Sequence, residues 1–210
     1  MNRGNSYHAS AEKRALDLGV ATVFIGPTTV VAAMVAAGVM VETGKPPVFR
    51  QARIGQGTDQ SFSVVKIRTL HGEITHEPAR NGYQNQRATR IGQIARKMHA
   101  DEVPQLYQVI SASMSIVGPR PLVPVEHEEV MDNLSYAEQL EYLDALKICK
   151  PGIVAPDSHL IHRGAIITPS LRAESTINYA HNASLQYDLQ QLGRLTIDVV
   201  HDHLPKRTME

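Results

Sequence analysis

Two adjacent carboxylates, Asp101 and Glu102, stand immediately before Val103-Pro104-Gln105-Leu106. Val103, Leu106 and Ile110 recur at helical spacing, which predicts an amphipathic helix over about residues 104–111. Proline suits a first helical turn, where its missing N–H would be unpaired anyway. The acidic pair therefore sits at or beside the positive end of a helix dipole, which favours the charged carboxylate. Such a pair can hold a hard divalent cation, and one member can act as a nucleophile. His99 invites a base role beside Asp101, although an orienting or exposed histidine fits the pattern better. Downstream, Gly118-Pro119-Arg120-Pro121 forms a stiff turn that would hold Arg120 at low entropic cost.

The elements that must position these groups are short. Residues 48–53 and 62–68 read as two strands around Gly55-Gln56-Gly57-Thr58-Asp59, a small hairpin. Period two places Phe62, Val64, Lys66 and Arg68 on one face. Lys66 and Arg68 would then project together, spaced to meet a phosphate or a carboxylate. The competing reading is a solvated strand edge with protective basic residues. Residues 89–98 look helical and basic, with Arg90, Arg96 and Lys97. Residues 71–87 read as a polar loop, a candidate active-site lid, and its His71 and His76 lack metal-site spacing. The acidic cluster over 122–132 is a solvated helix face. Ser135-Tyr136-Ala137-Glu138 fits a capping box for a helix ending near Lys150-Pro151-Gly152. Residues 173–204 close the chain as a helical region, with Leu185, Leu189, Leu192, Thr196 and Val199 near helical spacing. Residues 1–10 are polar and expected to be loose.

Residues 18–41 contain no charge, a length that could span a bilayer. Gly26-Pro27 near the middle predicts a break or kink. Both flanks are basic, with Arg3, Lys13 and Arg14 before and Lys45, Arg50 and Arg53 after. The positive-inside tendency then draws both ends to the cytoplasmic side, which a broken, re-entrant helix satisfies. A signal peptide, an ordinary span and a buried core helix compete with that reading.

The chain has 210 residues, with 21 Lys+Arg balancing 21 Asp+Glu. Neutral charge, 5% aromatics and no Trp argue against a nucleic-acid partner. The lone Cys149 cannot pair internally, which fits a reducing compartment, and is expected as a buried apolar residue. The expected fold class is α+β, mostly helical with a small β-hairpin. Residues 1–41 are expected to form a tail and re-entrant membrane helix, and 42–210 a cytoplasmic catalytic domain with C-terminal amphipathic helices.

At several places the chain resembles the bacterial sugar transferase family, the monotopic polyprenyl-phosphate phosphoglycosyl transferases. The matching pieces are Lys13-Arg14-Ala15-Leu16-Asp17-Leu18, Pro47 through Gly55, Lys66-Ile67-Arg68-Thr69-Leu70, Asp101 through Leu106, Met114 through Pro121, and Lys150-Pro151-Gly152-Ile153. They occur in family order. Gly26 stands where the family has serine before the proline that breaks its membrane helix. After Ile153 the family continues with threonine, glycine and tryptophan, whereas this chain has Val154-Ala155-Pro156-Asp157-Ser158-His159. Arg163 stands about where the family carries an arginine.

The resemblance implies transfer of a sugar 1-phosphate from a UDP-sugar to a polyprenyl (undecaprenyl) phosphate, beginning exopolysaccharide, O-antigen or glycoconjugate synthesis. It implies Asp101 as nucleophile, forming an aspartyl-phosphosugar, with Glu102 and Asp101 holding Mg²⁺. Lys66, Arg68, Arg96, Arg120 and Arg163, with Pro119 and Pro121 in the nucleotide-contacting turn, would bind substrate. Donor and acceptor are both anionic, so basic residues and a cation are what such chemistry needs. The implied location is the cytoplasmic face of the inner (plasma) membrane, with membrane lipid as a further partner, and a homo-oligomer is compatible with it. A membrane-anchored binding or scaffold protein of weak turnover, on the same fold, is the alternative, motivated by the altered run after Ile153.

Overall fold

The computed structural model describes residues 3–57, 61–71 and 88–203. Helices dominate around one two-stranded antiparallel hairpin and one short parallel strand pair, in keeping with the expected class. The stretch expected to be loose contains α1 (Arg3–His8). Tyr7 is buried and donates its hydroxyl to Asp188 at 3.0 Å, while the His8 ring packs edge-on against Tyr179. Those tertiary contacts overrule the polar, glycine-containing local sequence.

Helix α2 (Ala11–Thr43) is the long apolar element. Ser10 caps its start by accepting from the Lys13 N–H. Gly44 closes it in a left-handed conformation, φ 65°, with its N–H on the Met40 carbonyl. The expected break at Gly26-Pro27 is absent, and the helix runs through Pro27. Proline removes a single backbone hydrogen bond. Just after Pro27 the Thr28 and Thr29 hydroxyls bond back to the Phe24 and Ile25 carbonyls at 2.5 Å, and Thr29 also meets the Tyr107 hydroxyl at 2.9 Å.

At about 1.5 Å per residue α2 is ~50 Å long. Among the described residues it is the one helix long and apolar enough to cross a membrane. A narrow stripe of Lys13, Asp17, Ala21, Ala32 and Val39 packs on the domain. Val23, Phe24, Val30, Met34, Met40 and Val41 stay exposed, Val41 at 84%. An exposed apolar run of this kind calls for a non-aqueous neighbour.

Strands β1 (Val48–Ile54) and β2 (Ser61–Ile67) pair from Val48↔Ile67 to Ile54↔Ser61. Directly opposed residues share a face, so Phe49, Gln51 and Arg53 lie beside Lys66, Val64 and Phe62. Helix α3 (Arg90–Lys97), a 3₁₀ turn (Ala100–Glu102) and α4 (Pro104–Ile110) follow. Then come β3 (Ser115–Val117), α5 (Pro124–Asp132), α6 (Tyr136–Ile148) and β4 (Gly152–Val154). The chain closes with α7 (Ser158–His162), α8 (Pro169–Asn182) and α9 (Leu185–His203). The capping box at Ser135 and Glu138 is present.

The closing helical region is thus two helices, with an extended turn at Ala183 between them. The face that α9 turns inward carries Asp188, Gln191, Leu192 and Leu195, whereas Leu189 is exposed. Polar groups on the inward stripe hid this from an apolar periodicity. The proposed lid falls, after His71, outside the described residues, and His76 with it.

The main core gathers Val109, Met114, Ile116, Val117, Cys149 and Tyr179. Burial pushes the Cys149 thiol up to about 12, which makes it an inert packing group, as expected. Strands β3 and β4 pair in parallel, Ser115↔Gly152 and Val117↔Val154. The backbones at Gly118 and Gly152 pass so closely that a Cβ on Gly152 would overlap the Gly118 nitrogen and lie 2.6 Å from its Cα. Backbone cannot yield there as a side chain would. Gly152→Ala should therefore cost about 3 kcal/mol of stability. Thermal unfolding in detergent checks this, and an unchanged Tm would show that the two strands can separate freely.

Candidate active site

Buried flanks aim the acidic pair. Helix α3 ends at Met98, and His99 turns the chain through a left-handed conformation, φ 52°. A non-glycine residue held there is strained by about 1–2 kcal/mol. Ala100 and Val103 are buried on either side of the pair, Val103 in a cluster with Ala32 of α2 and Ile67 of β2. Asp101 and Glu102 are presented between these anchors, one turn before α4 as anticipated.

Lys66 reaches the pair from β2, its Nζ 2.6 Å from Glu102 Oε1. The strand is itself held from α4, where Gln108 accepts from the Val65 N–H at 2.9 Å and donates to the Ser63 carbonyl at 2.7 Å. Burial pushes the Glu102 carboxyl upward, but Lys66, with Arg120 and His99 behind it, outweighs that and holds it below its ordinary value. Asp101 goes the other way. Burial and then the Glu102 charge raise it, and Lys66 and Arg96 draw it back only in part. Two neighbouring carboxylates with incomplete compensation are what a hard cation would relieve. Among the described residues no group of three or more His, Cys, Asp or Glu side chains could hold a metal. Asp101 and Glu102 alone still suit Mg²⁺, which is bound through one or two carboxylates plus substrate phosphates and water.

Two clefts meet at Glu102. The smaller, ≈ 30 Å³, is lined by Arg53, Lys66, Glu102, Gln105, Arg120 and Pro121 among others. The larger, ≈ 520 Å³, has Glu102, Arg120, His99 and Ser158 at its polar end. Phe24 and Thr28 of α2, with Val103, Leu106, Ile161 and Leu195, make its apolar walls. Arg120 is exposed and lines both clefts, while Pro119 beside it is buried. The turn is clamped through its backbone. Gly118 N–H bonds the Val154 carbonyl at 3.1 Å, and Gly152 N–H bonds that of Pro119 at 2.9 Å.

The predicted basic residues do not all converge. Lys66, Arg96 and Arg120 act on the acidic pair, Arg96 with its Nε on Thr69 Oγ1 at 2.8 Å. Arg68 lies one residue past the end of β2 and lines neither cleft; its Nε donates to the Pro46 carbonyl at 3.1 Å. The strand ends at Ile67, so the alternation that paired it with Lys66 stops short of it. Arg163 lines neither cleft and sits 3.5 Å from Asp198 of α9, because Gly164, φ 79°, turns the chain after α7.

Arg53 is the residue that sequence reasoning missed. It lines the smaller cleft and donates to the Pro121 carbonyl at 3.0 Å and to Gln51 Oε1 at 2.7 Å. Burial first, and then nearby Arg120, lower its pKa. The hairpin register could have found it, since Arg53 opposes Phe62 on the Lys66 face. The divergent run after Ile153 is ordered. Asp157 starts α7 and lies 2.9 Å from Arg172 Nη1 of α8, out of hydrogen-bonding alignment. Val154, Ser158 and Ile161 from this segment wall the larger cleft.

The comparisons with known proteins converge on one family. A family profile described as "Bacterial sugar transferase" matches residues 8–202. A UDP-glucose:undecaprenyl-phosphate glucose-1-phosphate transferase of Caulobacter vibrioides is 32% identical over 182 residues, 85% of this chain and 66% of that protein. A protein of the same name from Xanthomonas campestris pv. campestris is 31% identical, over 78% of this chain and 31% of its own length. A UDP-N-acetylgalactosamine-undecaprenyl-phosphate N-acetylgalactosaminephosphotransferase of Aeromonas hydrophila is 28% identical, over 84% of this chain and 41% of its own. The chain therefore spans less than two thirds of the length of each of these relatives. With a profile covering nearly its whole length and Glu102 and Arg120 brought to one cleft, the chain belongs to the bacterial sugar transferase family.

Proposed function

We propose that the protein transfers a sugar 1-phosphate from a UDP-sugar to a polyprenyl phosphate, of the undecaprenyl type named in its relatives, in two displacements. The observation that carries this reading is the larger cleft. One end is charged, with Glu102 and Arg120, and the other is walled by Phe24 and Thr28 of the exposed apolar helix. A substrate with an anionic head and a hydrocarbon tail fits both ends at once.

Asp101 attacks the sugar-bearing phosphorus, the bond from that phosphorus to the bridging oxygen breaks, and UMP leaves. The polyprenyl phosphate oxygen then attacks the same phosphorus, and the Asp101 carboxylate is released. Arg120 holds the donor diphosphate with bidentate hydrogen bonds, Lys66 and Arg96 balance its charge, and Pro119 and Pro121 stiffen the turn. Magnesium bound by Asp101 and Glu102 would supply neutralisation of the phosphoryl oxygens. A Cα-fixed Arg120 and an apolar wall also keep the acceptor phosphate near the pair, a local-concentration effect. The site works at the cytoplasmic face of the inner membrane and begins assembly of a membrane-linked glycan. Support for that placement comes from α2, whose two ends touch one domain: Lys13 bonds Val117, and Glu42 accepts from the Ile91 N–H. A binding or scaffold role of weak turnover is the second reading, favoured by Arg163 facing Asp198 instead of the clefts.

Full-length protein in nanodiscs, given Mg²⁺ and a panel of UDP-sugars without acceptor, should release at most one UMP per site. It should gain the mass of a phosphosugar, mapped to Asp101, and EDTA should abolish the gain. Asp101→Asn should lose transfer at least ~10³-fold. No trapped adduct, together with kinetics that demand a ternary complex, would mean direct transfer.

The nucleophile must be ionised, so kcat/KM falls as pH drops through the Asp101 pKa. Because that pKa is raised, the fall should begin above the ordinary carboxylate range. Arg96→Gln removes a cation that draws it down, so the acid limb should move to still higher pH. An unmoved limb assigns the titration to another group. Topology has its own test. Single cysteines at Ser6 and Thr43 in a Cys149→Ser background should label alike with an impermeant reagent in intact cells. Opposite labelling would reveal a true span.

A further inference from the structure

The first turns of α2 carry a buried polar cluster that the proposed chemistry does not use. Lys13 is buried, and its ammonium donates to Asp188 Oδ2 at 2.6 Å and to the Val117 carbonyl at 2.9 Å and forms an ion pair with Asp17 Oδ1 at 3.4 Å. One turn on, Asp17 accepts from the Ser115 hydroxyl at 2.9 Å and the Ile116 N–H at 3.0 Å. The Tyr179 hydroxyl of α8 lies 2.9 Å from the same Val117 carbonyl and 3.0 Å from Asp188 Oδ1, so its single proton serves one of them at a time. The Val117 carbonyl, the Ser115 hydroxyl and the Ile116 N–H of β3 are thus each met by a side chain from α2 or α8, and the Ser115 hydroxyl also lies 2.9 Å from the Val117 carbonyl.

Val117 is the last residue of β3, and Gly118-Pro119-Arg120-Pro121 follows it directly. The downstream end of the turn is held by Arg53 on the Pro121 carbonyl at 3.0 Å, and the middle by Gly152 on Pro119. Its upstream end has Lys13 and Tyr179. A turn with two prolines transmits displacement more than it absorbs it, since the φ angles at Pro119 and Pro121 are locked. A shift of the Val117 carbonyl would therefore reach the Arg120 guanidinium in the clefts.

We propose that Lys13, Tyr179 and Asp188 are positioning residues for the donor site, setting the Arg120 turn from the first turns of the apolar helix. The inference rests on the reading of Arg120 as the donor's ligand. It goes beyond that reading by making donor affinity depend on how α2 is seated. The side chains touch no cleft holding Glu102, so they act only through the turn.

A double-mutant cycle in the full-length protein in nanodiscs tests it, with UDP binding read by calorimetry and donor KM read beside kcat. Tyr179→Phe removes one hydroxyl and keeps the ring. It should weaken UDP binding and raise donor KM roughly three- to tenfold, the worth of one lost hydrogen bond, with kcat at saturating donor little changed. In an Arg120→Ala background the same substitution should add nothing, because the group it acts through is gone. Equal effects in both backgrounds, or no effect in either, would overturn the inference while leaving the donor reading intact. Unweakened UDP binding by Arg120→Ala would remove the donor reading and the inference with it. The paired replacement Lys13→Met with Asp188→Leu keeps the volume apolar, a change that buried ion pairs often tolerate in stability. It should show the same weakening and the same non-additivity even if Tyr179→Phe fails to fold.

Discussion

A buried ammonium ties the protein together. Lys13 belongs to the apolar helix, Asp188 to the closing helix, and Val117 to the strand that enters the arginine turn. One cation thereby joins three parts of the chain that are 104 and 175 residues apart in sequence. Removing it would leave Asp17 and Asp188 buried as like charges, a defect worth about 3–5 kcal/mol. The Tyr7 and Tyr179 hydroxyls spread the Asp188 charge further, and burial raises the pKa of both above its ordinary value, so they remain neutral donors. The ordering of α1, which its own sequence does not favour, follows from Tyr7 joining this cluster.

At the clefts the same electrostatic logic runs with less shielding. Glu102 has Lys66 in contact, and its carboxyl and that of Asp101 are displaced in opposite directions. Neighbouring titratable groups pushed apart in this way are suited to different tasks. Glu102 stays anionic across the physiological range and serves as a fixed charge. Asp101 is the more easily neutralised and the more basic of the two, which favours it as the atom that forms a bond. Lys66, Arg96 and Arg120 act on the pair and Arg53 and Arg120 repel each other, so an anion placed among them would be favoured.

What could be read before the structure was local and periodic. The hairpin, the helix after the acidic pair, the capping box at Ser135 and the buried Cys149 each follow from a few neighbouring residues. The acidic pair, Lys66 and Arg120 came together because alternation, a proline-started helix and a proline-rich turn each point a side chain predictably. Arg68 stands apart from the two clefts for a boundary reason: alternation holds only while a residue is in the strand, and β2 stops at Ile67. Arg53 was hidden because its face depends on the register across a loop, not on its own strand. The β3–β4 pair was illegible because three residues on each side carry too little pattern, and what permits the pairing is two glycines, Gly118 and Gly152, far apart in sequence. Lys13 and Asp17 read as a basic flank and a family match, while their function as hydrogen-bonding partners required a tertiary neighbour to be known.

The unbroken α2 changes how the apolar helix can meet a membrane. A helix of ~50 Å exceeds the ~30 Å hydrocarbon core, yet its length alone does not make it a span. Its contacts with the domain recur along it: Lys13 and Asp17 on β3, Thr29 on Tyr107, Ala32 beside Val103, Glu42 on α3. A helix standing across a bilayer could touch a domain on one side only near one end. Contacts at both ends instead describe a helix lying along the domain, with Val23, Val30, Met34 and Val41 turned outward. Exposed apolar side chains also continue onto the helices beside it, with Ile94 and Met98 at α3 and Tyr107 and Ile110 on α4. In that arrangement Pro27 needs no sharp break to keep both ends on one side. The apolar helix is also a wall of the larger cleft, since Phe24 lines that cleft two turns beyond the Asp17 contact that seats the helix.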